Sequence, residues 1–241
     1  NCGGFGYFRS AYAPPLFQAL VAQAASMSAA GHFNLFSDSW GLGEGGYGPV
    51  SSFLDLSRHL PVDADPLVWN RTAQTLESID RLYDGLGQRQ TAFRAFARGV
   101  LDPVMARVGW DARPGESATA AVLRETLLEA LSDLDDPAVA AQAQARFAAF
   151  QADPTSLDAG VRKTVLNIAG AHADAATFAA LRAMAAKAVD PQEKRQYLAA
   201  LAAARDPALA QQAMLLTLGP EVPTSIAIPM MRVVAANHPE L

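Results

Sequence analysis

The chain has 241 residues, 51% of them hydrophobic, which supplies apolar material for a sizeable core and excludes a disordered polymer. Its formal net charge of -5, from 19 Lys and Arg against 24 Asp and Glu, leaves no basic footprint for phosphate backbones and excludes a general nucleic-acid binder. A single cysteine, Cys2, excludes an internal disulfide framework and a cysteine-rich zinc site.

The opening Asn1-Cys2-Gly3-Gly4 is neither a charged n-region nor an apolar h-region, so the chain reads as a piece of something longer. Phe5 to Tyr12 is aromatic-rich with partial alternation and predicts one strand, whose ladder partners are expected upstream. Pro14-Pro15 then introduces a predicted helix over Leu16 to Ala30, and a short helix follows over His32 to Leu42. The run Gly41 to Gly48, GLGEGGYG, lacks the preceding strand, the Lys and the spacing of a phosphate loop, and reads as a flexible loop. Val50 to Leu60 is again helical in pattern.

Asp65-Pro66 starts a predicted helix over Leu67 to Leu86 and introduces a recurring device: an aspartate cap followed by a proline suited to the first helical position. The pair returns at Asp136-Pro137, Asp153-Pro154, Asp190-Pro191 and Asp206-Pro207, with Asp174 as a further start. Asp102-Pro103 differs, because apolar periodicity runs straight through it, and predicts a kink inside a helix over Arg89 to Val108. The stretch from Val104 to Leu131 organises the rest of the chain. Val108-Gly109-Trp110 closes the kinked helix, Asp111 to Ser117 breaks it, and Ala118 to Leu131 resumes with a stripe of Leu123, Leu127, Leu128 and Leu131. Arg124 stands at the edge of the stripe and reads as a structural arginine with its head satisfied.

Beyond Asp136 the helices are alanine-dense, with bulk from Phe147, Phe150, Phe178, Leu181, Tyr197 and Leu201, and the final one spans Thr224 to Asn237. Helical pairs of roughly 35 residues, each too small to bury its own face, predict an all-α fold: an α-solenoid of HEAT- or armadillo-like hairpins preceded by one short strand. An incomplete solenoid would expose an apolar end face, so self-association through the last helices is expected.

No catalytic constellation is legible. His32, His59, His172 and His238 lie far apart and none belongs to an HExxH pattern, so no metal site and no catalytic residue is predicted. The sequon Asn70-Arg71-Thr72 falls inside a predicted helix and reads as chance. No apolar run reaches the roughly 18 to 20 residues of a membrane span.

The order of features resembles the C-terminal helical domain of aminopeptidase N-type zinc metallopeptidases, the group containing the puromycin-sensitive and endoplasmic-reticulum aminopeptidases. The resemblance is carried by Asn1 with Gly6-Tyr7-Phe8-Arg9 and Tyr12, by Asp38-Ser39-Trp40-Gly41-Leu42, and by Val68-Trp69, Gly109-Trp110 and Leu123-Arg124. It implies that residues 1–13 end an upstream β-sandwich and its linker, and that residues 14–241 form a helical C-terminal domain truncated at its far end. The parent would be a zinc exopeptidase removing N-terminal residues from peptides, with its zinc on a catalytic domain absent from this chain. The helical domain would then be non-catalytic, hold no cofactor, enclose the substrate cavity and contact the distal part of the peptide. Its partners would be the upstream catalytic domain and the peptide. Asp80-Arg81 lies near where some relatives place a Tyr-Lys pair, which makes Arg81 a substrate-binding candidate. The alternative reading is an independent HEAT-like scaffold for protein interaction.

Overall fold

The structure is a computed structural model that describes residues 8–239 and 241. The regular structure of the described residues is all helical, with twelve α-helices, two short 3-10 turns and no strand. Part of the expected strand, residues 5–7, lies outside the described residues, and Phe8 to Tyr12 carries no strand. The chain divides into two compact units, residues 1–134 and 135–241.

The first unit contains α1 (Pro14–Ala22), α2 (Ala29–Glu44), α3 (Ser51–His59), α4 (Pro66–Leu82), α5 (Gln88–Val108) and α6 (Ala118–Asp133). Its core is built from Phe53, Leu56, Trp69, Leu76, Leu101, Leu127 and Leu128, all essentially without solvent access. Phe53 receives Phe36 and Trp40 edge-on, each with ring centroids 5.8 Å away. α4 lies against α2, α5 and α6.

Three of the predicted boundaries move, each for a local reason. The helix expected over Leu16 to Ala30 stops at Ala22, because the Ser28 hydroxyl accepts the Gly31 amide at 3.2 Å and starts α2 afresh. α2 then continues to Glu44 through Gly41 and Gly43, which were expected in a flexible loop. A Cβ on Gly41 would stand 2.3 Å from the Arg9 guanidinium carbon, and one on Gly43 would stand 3.0 Å from Val50, so these glycines serve close approach. α4 ends at Leu82, short of Leu86, where Gly85 and Gly87 take φ of 77° and 52°. α5 runs through Pro103 as expected and ends at Gly109, φ 76°.

The second unit contains α7 (Pro137–Ala152), α8 (Ala159–Ala171), α9 (Ala175–Lys187), α10 (Pro191–Ala202), α11 (Pro207–Leu216) and α12 (Thr224–Asn237). Its aspartate caps are real hydrogen bonds: Asp136 accepts from Val139 N at 2.8 Å, Asp174 from Thr177 N at 2.7 Å, Asp190 from Gln192 N at 2.7 Å and Asp206 from Ala208 N at 2.9 Å. Asp153-Pro154 starts only a 3-10 turn over Pro154–Ser156, and Asp158 caps α8 instead through Gly160 N at 2.7 Å. α10 is the axis of this unit, packed on α8, α9, α11 and α12. Gly170 of α8 makes the closest crossing, since a Cβ there would lie 2.0 Å from the Ala200 carbonyl oxygen. At the unit's first residue, Asp135 takes φ 57°, a left-handed conformation that Asp tolerates, and its carboxylate accepts from Arg205 at 2.7 Å.

Candidate functional site

Asn1 and Gly6-Tyr7 of the first motif lie outside the described residues; among the described ones, the motifs that carry the family resemblance resolve into three physical joints of the first unit. In the first joint, Arg9 Nη1 donates to the Ser37 carbonyl at 2.6 Å, Ser10 N donates to Asp38 Oδ2 at 3.0 Å, and the Arg9 head lies 3.9 Å from the Asp38 carboxylate. The bare backbone of Gly41 leaves the guanidinium its place, so Asp38 and Gly41 together dock the extended segment before α1 onto α2. In the second, Trp69 is buried and its indole N–H donates to the Pro61 carbonyl at 3.0 Å, fixing the loop that leads into α4.

The third joint unites Gly109-Trp110 with Leu123-Arg124. Arg124 is only 2% exposed; its Nε donates to the Gly109 carbonyl at 2.9 Å and its Nη2 to the Glu116 carboxylate. Hydrogen bonding from Arg124, ahead of a smaller opposing effect of burial, holds the Glu116 carboxyl below its ordinary range. The arginine expected to be structural is thus the clamp that folds the α5–α6 turn back on itself.

Arg81 and its neighbour part company. Asp80 is buried and accepts from Arg94 at 3.0 Å (Nε) and 2.9 Å (Nη2), with Gln90 adding a contact at 3.3 Å, so it fastens α4 to α5. Arg81 is exposed in the last turn of α4, where its Nη2 donates to Ser78 Oγ at 3.3 Å. One turn earlier, the half-buried Glu77 carboxyl is pushed up to about 7, first by burial, next by Asp133 and then by Glu129, against the pull of Arg81. Sequence reading missed Glu77, because a Glu four residues before an Arg looks like a solvated helix pair until α6 is laid beside it.

A groove of about 390 Å³ opens between α3 and α5, lined by Arg58, Leu60, Trp69, Phe96 and Val100, with the Arg58 guanidinium 4.7 Å above the Phe96 ring. Three of the four histidines serve the backbone: His32 donates to the Ala24 carbonyl at 2.6 Å, His59 to the Asp55 carbonyl at 2.8 Å and His238 to the Ala204 carbonyl at 2.8 Å. Among the described residues no group of three or more His, Cys, Asp or Glu side chains is placed to hold a metal ion, and no helix is long and apolar enough to cross a membrane. Asn70 of the sequon donates to Thr126 Oγ1 at 2.8 Å and Thr72 is buried, so both are spent on packing. Leu218, in the turn after α11, and Ile228 of α12 are exposed at 76% and 58%, and nothing in the structure supports the expected self-association.

Aminopeptidase M1-A of Oryza sativa subsp. japonica is 30% identical over 251 residues, covering 99% of this chain and 28% of the relative. Aminopeptidase M1 of Arabidopsis thaliana is 25% identical over 231 residues, covering 92% of this chain and 26% of the relative. Aminopeptidase 2 of Candida albicans is 24% identical over 178 residues, covering 72% and 19%. The chain thus spans between about a fifth and somewhat over a quarter of the length of these relatives. The family model described as the ERAP1-like C-terminal domain matches residues 1–240, and the chain belongs to that family.

Proposed function

We propose that this chain is the non-catalytic C-terminal part of a zinc aminopeptidase, one that encloses the peptide while the metal and the bond-breaking groups reside on an upstream catalytic domain. The observation that carries this reading is coverage: nearly the whole chain aligns with about a quarter of a protein named as an aminopeptidase. Residues 1–13 form the link to the preceding domain, supported by the docking of Arg9 and Ser10 on α2. Residues 14–241 form the helical domain, its hairpins being α-solenoid pairs of the HEAT kind, supported by packing between helices one and two places apart along the chain. Arg81, an exposed cation in the last turn of α4, contacts the distal part of the peptide.

The test uses the full-length protein. It should hydrolyse aminoacyl-anilides and lose that activity to a zinc chelator, whereas residues 1–241 alone should hydrolyse nothing. Arg81→Ala should raise KM several-fold for peptides of about ten residues and leave the anilide untouched. An equal effect on both substrates would remove Arg81 from the peptide path, and chelator-sensitive activity in residues 1–241 alone would overturn the non-catalytic assignment.

A further inference from the structure

The turn that joins α4 to α5 contains Asp84-Gly85, and the sequence has no other Asp-Gly pair and no Asn-Gly pair. An aspartate carboxyl and the amide of the next residue are the two ends of a five-membered ring, and the usual obstacle to closing that ring is the Cβ of the next residue, which glycine lacks. Both residues are exposed. The Leu86 amide donates to the Tyr83 carbonyl at 2.9 Å and closes the turn over the pair, with Gly85 at its tip, φ 77°, and nothing within 4 Å of where a Cβ would stand. Among the described residues nothing accepts a hydrogen bond from the Gly85 amide, so no bond of its own has to break before its nitrogen turns to the Asp84 carboxyl.

Other aspartates of the chain lack one or another of these features. Six of them precede proline, whose nitrogen carries no hydrogen to give up. Asp63 precedes Ala64, whose amide is committed to the Pro61 carbonyl at 2.8 Å. Asp158 and Asp174 also precede alanine, and their carboxylates are spent as caps on Gly160 N and Thr177 N, each at 2.7 Å. At Asp84 the one restraint is a hydrogen bond from Gln90 Nε2 to Oδ1 at 2.8 Å, and it is exposed to water that competes for both partners.

We propose that Asp84 is a modification site at which aspartate isomerises to isoaspartate through a succinimide closed by the Gly85 amide. The Gly85 nitrogen bonds to the Asp84 side-chain carboxyl carbon, and the carboxyl OH leaves with the amide hydrogen as water. Water then reopens the ring. Attack at the main-chain carbonyl breaks its bond to the Gly85 nitrogen, leaves that carbon as a free carboxylate and routes the backbone through the former side chain. The turn is longer by one methylene, and Gln90 loses its 2.8 Å acceptor while keeping Asp80 at 3.3 Å, so the α4–α5 connection is held less tightly beside the Asp80–Arg94 pair.

The test ages the intact 241-residue protein for several weeks in mildly acidic buffer and compares it with an unaged sample after tryptic digestion. Cleavage after Arg81 and Arg89 yields a peptide of residues 82–89 in which Asp84 is the one acidic side chain. That peptide should gain a second chromatographic form of unchanged mass that grows with ageing, accepts a methyl group from isoaspartyl methyltransferase supplied with S-adenosylmethionine, and shows isoaspartyl backbone fragments on electron-transfer dissociation. Gly85→Ala should slow its formation several-fold. Asp84→Asn, which leaves the turn's backbone unchanged and serves if the alanine variant does not fold, should convert faster than the wild type, losing ammonia and gaining about 1 Da. No second form in the aged wild type, equal accumulation in Gly85→Ala, or an Asp84→Asn peptide that keeps its mass would each overturn the assignment.

Discussion

Replacing Gly170 by alanine sets two effects of opposite sign against each other, and the structure decides between them. Alanine is the better helix former by up to about 1 kcal/mol, so on propensity alone Gly170→Ala in the last turn of α8 would stabilise the chain. The new methyl, however, would stand 2.0 Å from the Ala200 carbonyl oxygen and 2.6 Å from its carbon, both backbone atoms of α10. Normal contact needs roughly 3.4 Å or more, so the helices must part by about 1 Å or more. α10 cannot yield freely, because α8, α9, α11 and α12 all pack on it. Overpacking of this kind costs about 1–3 kcal/mol, and parting the helices also loosens Leu166, Leu198 and Leu201. We expect a net loss of about 2 kcal/mol, seen as a lower midpoint in urea unfolding followed by circular dichroism, with an unchanged slope. Gly99→Ala is the control: Gly99 is exposed on α5 with nothing within 4 Å of the added carbon, so the same exchange should stabilise by about 0.5–1 kcal/mol. If both variants gain stability equally, the close crossing of α8 and α10 is wrong.

Arg124→Ala takes the guanidinium from the Gly109 carbonyl and leaves the Glu116 carboxylate only the Arg113 amide at 3.3 Å, and should cost about 3 kcal/mol by chemical denaturation, with Arg124→Lys recovering little because one ammonium cannot serve both acceptors. Gly41→Ala displaces a flexible guanidinium rather than backbone, so stability should change by less than about 1 kcal/mol while trypsin cleavage after Arg9 accelerates; unchanged cleavage would remove Gly41 from the docking joint. Asp206→Ala removes the cap on Ala208 N and Leu209 N and should lower stability by about 1 kcal/mol, restored in part by Asn. For Glu77 the folded carboxyl titrates near 7 against an ordinary value of 4.5, so wild-type stability should fall between those pH values, by about 2–3 kcal/mol, relative to Glu77→Gln; a parallel pair of pH profiles would contradict the assignment.

Features written in neighbouring residues were the readable ones. The aspartate-proline starts at Asp65, Asp136, Asp190 and Asp206 are caps because the cap, its proline and the amide that donates to it lie within four residues, and the Leu123 to Leu131 stripe is buried because its period is helical. Where glycine has two physical uses, composition alone chose the wrong one: Gly41 and Gly43 read as loop residues, yet their missing side chains admit Arg9 and Val50 against a continuing helix. Proline was ambiguous in the same manner, since Asp153-Pro154 produces one 3-10 turn and the neighbouring Asp158 takes over the capping. The family motifs were legible as an order of residues, but only folding shows that Gly109 and Arg124, fifteen positions apart, are two halves of one clamp. Glu77 was illegible because its environment is made by a helix more than fifty residues away.

The aspartate-proline caps bear on how the second unit reaches its native state. Each helix start is encoded within its own first turn, and much of the packing joins helices that are neighbours along the chain. Little loop-closure entropy therefore separates an isolated hairpin from a stacked one, and short sequence separation between partners is the condition for fast collapse. The first unit must wait longer, because α6 finds α4 only after the 21 residues of α5 have turned back between them, whereas α10 finds α8 across the 13 residues of α9. Nascent chains should accordingly secure residues 135–241 soon after synthesis, with the α4–α6 pairing setting the slower clock.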